Sequence, residues 1–468
     1  MSKLLAFPTP NGAPHRQCLL QVALQACPCL RTAAAIAAAV SCSAIIMLAA
    51  IDGAQAQSLE TELAGLLRDH PEIQARQKTV EGARQGVRVA YSGYLPKFDI
   101  FGETGPQYIE SPVLRSEGGG TWTSLADKAG AQMTQNVFDG FSTPAQVKSA
   151  RLNVEVADFT LAATTQNVLF EGITAYIEVL RQDQLARLAR ESERTIMRQL
   201  NLEDERVQRG AGIAVDVLQA KSRLQVAKER RVGFEGGLAD ATARYIQVFD
   251  HPPDLAAMRE PKVPGQLLPT DMPAAVETAR TENPAVDASL ATVAVADERK
   301  RLARSDYYPQ VDVVARANRE NDSDLVRGTR TDLSVVLAAT WNLFNGFATT
   351  ASVQQAAAEY KAARQNHHIV ARKVEEATRL AWQEWTTAQQ RVELLQNAVA
   401  IASEVFEARQ KLREAGRETV INVLDSENEV YNARISLVVA DGNARLAQYR
   451  VLQGMGRLGP AELGLPTP

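Results

Sequence analysis

The feature that most constrains this chain is an internal duplication. Gly210 followed by Val217-Leu218 recurs 206 residues later as Gly416 followed by Val423-Leu424. At the same distance, Asn136-Val137-Phe138-Asp139-Gly140-Phe141 recurs as Asn342-Leu343-Phe344-Asn345-Gly346-Phe347. Upstream, His70-Pro71 and Gly93-Tyr94-Leu95-Pro96 recur as Asn283-Pro284 and Asp306-Tyr307-Tyr308-Pro309, now 213 residues apart. Among these landmarks the register slips by seven residues, and only between Pro96 and Asn136. A duplication with one length-variable segment makes two similar structural units, each with one loop free to change length. The first unit covers 57–250 and the second 285–456. A Pro-rich linker, 251–284, lies between them, and 457–468 is a C-terminal tail.

Proline is absent between Pro144 and Pro252 and between Pro309 and Pro460, which permits very long helices. Apolar residues recur by threes and fours, as in Val147, Ala150, Val154, Ala157 and Leu161, then Val370, Val374, Ala377, Ala381 and Trp385. Such a stripe marks helices packed nearly parallel; an ordinary bundle shares it, and length separates the two. The spacing predicts helices over about 144–209 and about 347–413, each roughly 100 Å long at 1.5 Å per residue. Shorter returning helices follow over about 214–249 and 419–454. Others open the units over about 59–94 and 285–307. Gly210, Gly212 and Gly416 supply the helix-tip turns. Pro96 and Pro309 stop the incoming helices, Gly140 and Gly346 turn the strands back out, and Thr143-Pro144 reads as a capped helix start.

The variable segments alternate at period two. Leu333, Val335, Leu337, Ala339 and Trp341 stand against Asp332, Ser334 and Thr340. This predicts two hairpins, about 97–138 and about 310–344, with polar loops at 111–120 and 321–328. The strands are long enough to cross a bilayer, which takes about 9–11 residues. Four strands cannot close a barrel, and an open edge cannot sit in lipid, so a transmembrane reading requires a closed oligomer. The alternation equally fits a soluble β-cap on a helical stalk.

Residues 1–56 read as a signal peptide: Arg31 precedes an apolar run, and Ala54-Gln55-Ala56 fits a peptidase site. A membrane anchor and lipidation at Cys42 are rival readings. All four cysteines, Cys18, Cys27, Cys29 and Cys42, fall in this leader, so no disulfide or thiolate site holds the remainder. Removing Lys3, Arg16, Arg31 and Asp52 with the leader leaves 48 basic against 54 acidic residues, which argues against nucleic acid as a partner. His367 and His368 are adjacent and point to different helix faces, so no metal pair forms. No cofactor fingerprint or catalytic constellation is present; the chain does not read as an enzyme.

Taken in this order, the duplication, the Gly93–Pro96 element, the Asn-Val/Leu-Phe-x-Gly-Phe element and the Gly-to-Val-Leu tips give a chain that resembles the TolC-type outer-membrane channel proteins from Ser58 to Gly456. The resemblance implies a mainly α fold with a β-barrel part. Long antiparallel coiled-coil helices form a periplasmic tunnel, and four transmembrane β-strands per chain close as a 12-stranded barrel in a homotrimer. It places the chain in the outer membrane of a Gram-negative bacterium, embedded in outer-membrane lipid, with the linker in an equatorial region. Its partners would be a periplasmic adaptor and an inner-membrane ABC or RND transporter. The periplasmic gate would involve Asp425 as a ring of carboxylates, Asn422 where the family often has a second acid, and Asp216 at a latch position. Glu418 stands where the family has its latch arginine, with Arg417 one residue away. The resemblance implies an exit duct for type I protein secretion; multidrug efflux and a periplasmic coiled-coil adaptor are the alternatives.

Overall fold

The computed structural model describes residues 58–466 apart from 117 and 211; the leader assigned to 1–56, with its cysteines, lies outside the described residues. Each unit opens with two short helices. In the first, α1 is Leu59–Asp69 and α2 is Pro71–Tyr91. The single helix expected over 59–94 is thus broken, because Pro71 forces His70 into an extended conformation (φ −67°, ψ 125°) and starts a new helix at its own position. Strands β1 (Lys97–Ile109) and β2 (Trp122–Phe138) follow, with a one-turn helix α3 (Pro112–Ser116) in the loop between them. Then come the long helix α4 (Ser142–Gln208) and the returning helix α5 (Ala214–Phe249). The second unit repeats this: α6 (Met272–Glu282), α7 (Pro284–Ser305), β3 (Gln310–Asn321), β4 (Thr329–Thr340), α8 (Ala348–Glu414) and α9 (Val420–Met455).

Helix α6 lies within the Pro-rich linker 251–284, whose last part is the counterpart of α1. Asp271 caps it through Ala274 N at 2.8 Å, and Pro273 sits in the first turn, where a proline is tolerated. The long helices α4 and α8 are 67 residues each, and both ends of α4 recur 206 residues on.

The four strands form one antiparallel sheet in the order β1-β2-β3-β4, so β1 and β4 are open edges. Paired residues share a face. Phe98, Met133, Ala315 and Val335 make one row, and Ile100, Ala131, Ala317 and Leu333 make the next. The opposite face carries Asp99, Gln132, Arg316 and Ser334, then Glu103, Lys128, Glu320 and Arg330. One face is apolar and exposed in the chain, with Leu333 at 81% and Ile100 at 79%. That is the pattern of a strand set facing lipid on one side and an aqueous lumen on the other. The loop between the first hairpin's strands, 110–121, has twelve residues against seven in 322–328, which accounts for most of the repeat slip.

At the sheet–helix junction the chain turns through two left-handed residues in each unit: Gly140 (φ 65°) with Phe141 (φ 69°), and Gly346 (φ 67°) with Phe347 (φ 65°). The helix cap is Asp139, whose Oδ2 accepts from Thr143 N at 2.7 Å and from Thr143 Oγ1; Thr143 donates to the cap rather than supplying it. In the second unit Asn345 Oδ1 accepts from Thr349 N at 3.3 Å, while its Nδ2 donates to Thr349 Oγ1 at 2.8 Å. Phe138 and Phe141 pack edge-on against Tyr308, so the first unit's turn is seated on the second unit's Pro309 junction. Pro96 ends the turn that leads into β1.

The main core lies at mid-height, where the short helices meet α4. Leu63 and Leu66 of α1, Leu169, Ile173 and Tyr176 of α4, Tyr245 of α5, and Leu452 and Met455 of α9 are all buried there. Gly172 lets α1 approach, since a Cβ would lie 2.8 Å from Leu66 Cδ2. The C-terminal tail joins this core through Leu458 and Leu465. Helix α4 has nineteen buried residues and α8 has five. Leu380, Leu394 and Ile401 of α8 stay exposed: α8 packs on α6, α7 and α9, but among the described residues it has no counterpart of the cover that α2 gives α4.

Gly140 has two reasons to be glycine: a positive φ, and a Cβ that would lie 2.5 Å from Ser305 O. Gly140→Ala is expected to destabilise the protein by about 2 kcal/mol or more. Thermal unfolding in detergent measures this, and a melting curve identical to wild type refutes the packing argument.

Candidate functional site at the helical tips

Two helix–turn–helix tips end the molecule opposite the sheet. At the second, Gly416 (φ 74°) closes α8: Arg417 N donates to Leu412 O at 2.9 Å and Gly416 N to Arg413 O at 3.0 Å. This paired arrangement satisfies carbonyls that a helix end leaves open. Gly210 (φ 77°) does the same for α4, donating to Val207 O at 2.9 Å. Gly212 presses on Val207, where a Cβ would lie 2.7 Å from Cγ2.

The tips of the two units are packed together by a small apolar cluster. Ala220 of α5 and Val420 and Leu424 of α9 are buried, with Ile196 and Leu200 of α4 beside them. Around it run charged links between units. Arg413 of α8 donates from Nη2 to Glu203 Oε2 at 2.7 Å, and Arg206 from Nη1 to Glu203 Oε1 at 3.1 Å. Glu203 is 2% exposed, so this triad is a buried ionic link between α4 and α8. Further out, Arg223 of α5 donates to Asp425 Oδ1 of α9 at 2.6 Å, and Arg230 donates to Asn428 Oδ1 at 2.8 Å.

The sequence-derived gate residues fall into this region with different surroundings. Asp425 is about half exposed and already bonded to Arg223 within its own chain. Asn422 is exposed; its Nδ2 donates to Glu418 Oε1, and its carbonyl accepts from Arg409 Nη1 at 2.9 Å. The bond from Asn422 holds the Glu418 carboxyl below the usual range. Glu418 also caps Thr419 N at 3.0 Å, so this position serves the turn. Asp216 lies in the first turn of α5, where a carboxylate suits the helix dipole, and its side chain makes no hydrogen bond or ion pair among the described residues. Asp425 and Asn422 share the start of α9; no hydrogen bond or ion pair joins Asp216 to either. Pro96, Pro309, Gly140 and Gly346 sit at the far end, at the sheet.

Sequence reasoning missed Glu203, Arg206, Arg223 and Arg413. A signal for Glu203 exists: Ile196, Leu200, Glu203 and Val207 follow the 4-3-4 spacing of the packed stripe, so the acid occupies a core position. No helix is long and apolar enough to cross a membrane, and no cluster suited to a metal occurs, among the described residues.

These two ion sites differ in burial, so their substitutions are expected to differ. Asp425→Asn removes a half-exposed pair and shifts stability by less than about 1 kcal/mol. Glu203→Gln strips a buried charge from two arginines and costs roughly 3 kcal/mol. Denaturation of the two variants tests the ranking, and equal losses contradict the buried-triad assignment.

The comparisons agree with this architecture. The family model described as "Outer membrane efflux protein" matches residues 63–247 and 275–457, one stretch in each unit. The chain is 24% identical over 434 residues to outer membrane efflux protein BepC of Brucella suis, covering 92% of this chain and 91% of that protein. It is 23% identical to alkaline protease secretion protein AprF of Pseudomonas aeruginosa, covering 85% and 84%. Among solved structures, the Campylobacter jejuni CmeC outer membrane channel superposes with a TM-score of 0.74 at 14% identity, covering 86% of each chain, which shows the fold. The periplasmic adaptor reading gains no support from any of these. With its duplicated hairpins, its long helix pairs and a family match over both units, the chain belongs to the outer membrane efflux protein family, an export channel of the outer membrane.

Proposed function

We propose that three copies of this chain form the exit duct of a tripartite export system, serving type I protein secretion. One observation carries the duct: a four-stranded sheet with one apolar exposed face and two open edges. Unpaired edge groups in hydrocarbon each cost several kcal/mol, so β4 of one copy must pair with β1 of the next. Eight strands leave a filled interior; three copies supply twelve and leave a lumen. The repeat symmetry names the junction contact. Gly140 is seated on Ser305–Tyr308, and its counterpart Gly346 has nothing within 4 Å. In a ring, Gly346 meets the matching 92–95 segment of the next copy, and Phe344 and Phe347, each 71% exposed, gain cover there. Gly346→Ala is therefore expected to impair trimer formation while leaving the protomer folded. Native mass measurement in detergent reads this, and an intact trimer argues against the contact.

The helical tips serve as the gate. The Glu203–Arg413–Arg206 triad holds α8 to α4, and its removal is expected to raise conductance. Asp425, repeated three times, makes a negative ring. Its second oxygen has no partner in its own chain, so a trivalent cation at the tip side blocks current, and Asp425→Asn weakens the block. Bilayer recordings decide this: a block unchanged in the variant moves the constriction elsewhere.

A relative named for alkaline protease secretion supports protein as cargo, and one named for efflux supports small molecules as the second reading. The partners are a periplasmic adaptor and an inner-membrane transporter, of ABC type for protein cargo and RND type for the second reading. Deleting the gene and comparing secreted proteins with drug sensitivity separates the two. Loss of a secreted protein with unchanged sensitivity supports the first, and the reverse pattern overturns it.

A further inference from the structure

Toward the tips, α4, α8 and α9 line a half-open cleft of about 520 Å³ with mixed polar and apolar walls, the apolar part being Leu188, Leu202, Phe406 and Val430. Glu427 and Tyr431 of α9 also line it, at 7% and 6% exposure. Neither Glu427 Oε2 nor the Tyr431 hydroxyl has a hydrogen-bond partner. Both stand on the packed stripe of α9, in 4-3-4 spacing after Val420 and Leu424. Other charged groups face the cleft from every side, yet none bonds Glu427. From α4 come Glu191 and Arg198, the latter donating to Thr195 Oγ1 at 3.1 Å. Helix α8 presents Glu407, and α9 presents Arg434, which pairs loosely with Glu191 at 3.8 Å. Arg230 of α5 lies 5.7 Å from the Tyr431 ring centre and is engaged with Asn428.

We propose that Glu427, with Tyr431 beside it, is a proton-binding site that couples the pH around the tips to separation of the α8–α9 pair from the α4–α5 pair. The inference rests on the gate reading above. A charged carboxylate with a buried oxygen that no group bonds is unfavourable, and a bound proton removes that charge. The Tyr431 hydroxyl, four residues along the same face, is itself without a partner and supplies no charge to balance the carboxylate. Burial pushes the Glu427 carboxyl up to about 7, with Arg198 opposing the shift. When the helix pairs separate, the buried Glu427 side chain becomes exposed to water and its carboxyl returns toward its ordinary range. The packed tip thus binds the proton more tightly than the parted tip. Opening is favoured as pH rises toward neutrality and suppressed in acid.

The test uses the purified oligomer in planar bilayers, with pH on the tip side varied from about 5 to about 8. The open-to-closed ratio is expected to rise at least about tenfold in the wild type over that range. Glu427→Gln, which mimics the protonated group, should stay low and flat. Glu203→Gln, recorded in parallel, tests the gate itself. If Glu203→Gln opens the channel but Glu427→Gln keeps the wild-type pH response, the proton site is overturned and the gate stands. If Glu203→Gln fails to open it, the gate reading falls and this inference with it. Should Glu427→Gln not assemble, infrared titration of the wild type and of Glu427→Asp gives a second measurement. A protonated-carboxyl band that is lost near neutral pH, and shifted by Glu427→Asp, supports the site; absence of any such band overturns it.

Discussion

Backbone hydrogen bonding in a medium without water governs the whole assembly. Each chain ends its sheet with unpaired N–H and C=O groups along β1 and β4, and lipid offers them no partner. The only resolution is another copy of the same edges, which makes the ring a condition of the strands rather than a later addition. The helices inherit that ring. Helix α8 keeps more of its apolar residues uncovered than α4 does, and in a ring the next chain's α2 supplies the missing neighbour. The left-handed Gly-Phe turns then fix how β2 passes into α4 and how β4 leads to α8.

Stability is graded along the axis. At mid-height a large apolar core joins α1, α4, α5 and α9 and draws in the C-terminal segment through Leu458 and Leu465. At the tips only Ala220, Val420 and Leu424 are buried together as an apolar cluster. What holds the two units there is ionic: a buried Glu203 between two arginines, and half-exposed pairs further out. Ion pairs in a packed seam return little net stability compared with apolar side chains. Water weakens them by screening and rehydrating the charges, which suits the gate proposed for the tips. Glu203 and Glu427 both replace apolar residues on the stripe, one paired and one not.

Much of this was legible in the sequence. The 206-residue recurrence, the proline-free stretches and the 3-4 spacing located the long helices to within a few residues, since backbone propensity and periodicity act locally. The alternation of Leu333, Val335 and Leu337 against Asp332 and Ser334 identified a two-faced strand. His70-Pro71 was visible as a landmark, but its meaning as a helix break, and Met272–Glu282 as the partner of Leu59–Asp69, emerged only with the fold. Thr143 looked like a cap, whereas Asp139 performs that role from across the turn.

The tips show the same division. Asp425, Asn422 and Asp216 were singled out through the resemblance to TolC-type channels, whose tip pattern they match. Arg223, which bonds Asp425, lies 202 residues away in the chain, and Arg413 and Glu203 are 210 apart. Sequence by itself determined the repeats, the element types, the two-faced hairpins and the position of the tips, because these follow from short-range spacing. Tertiary structure alone decided which charges meet, which acid is left without a partner, and which helix face awaits another chain, because those depend on how two units with no sequence contact are brought side by side.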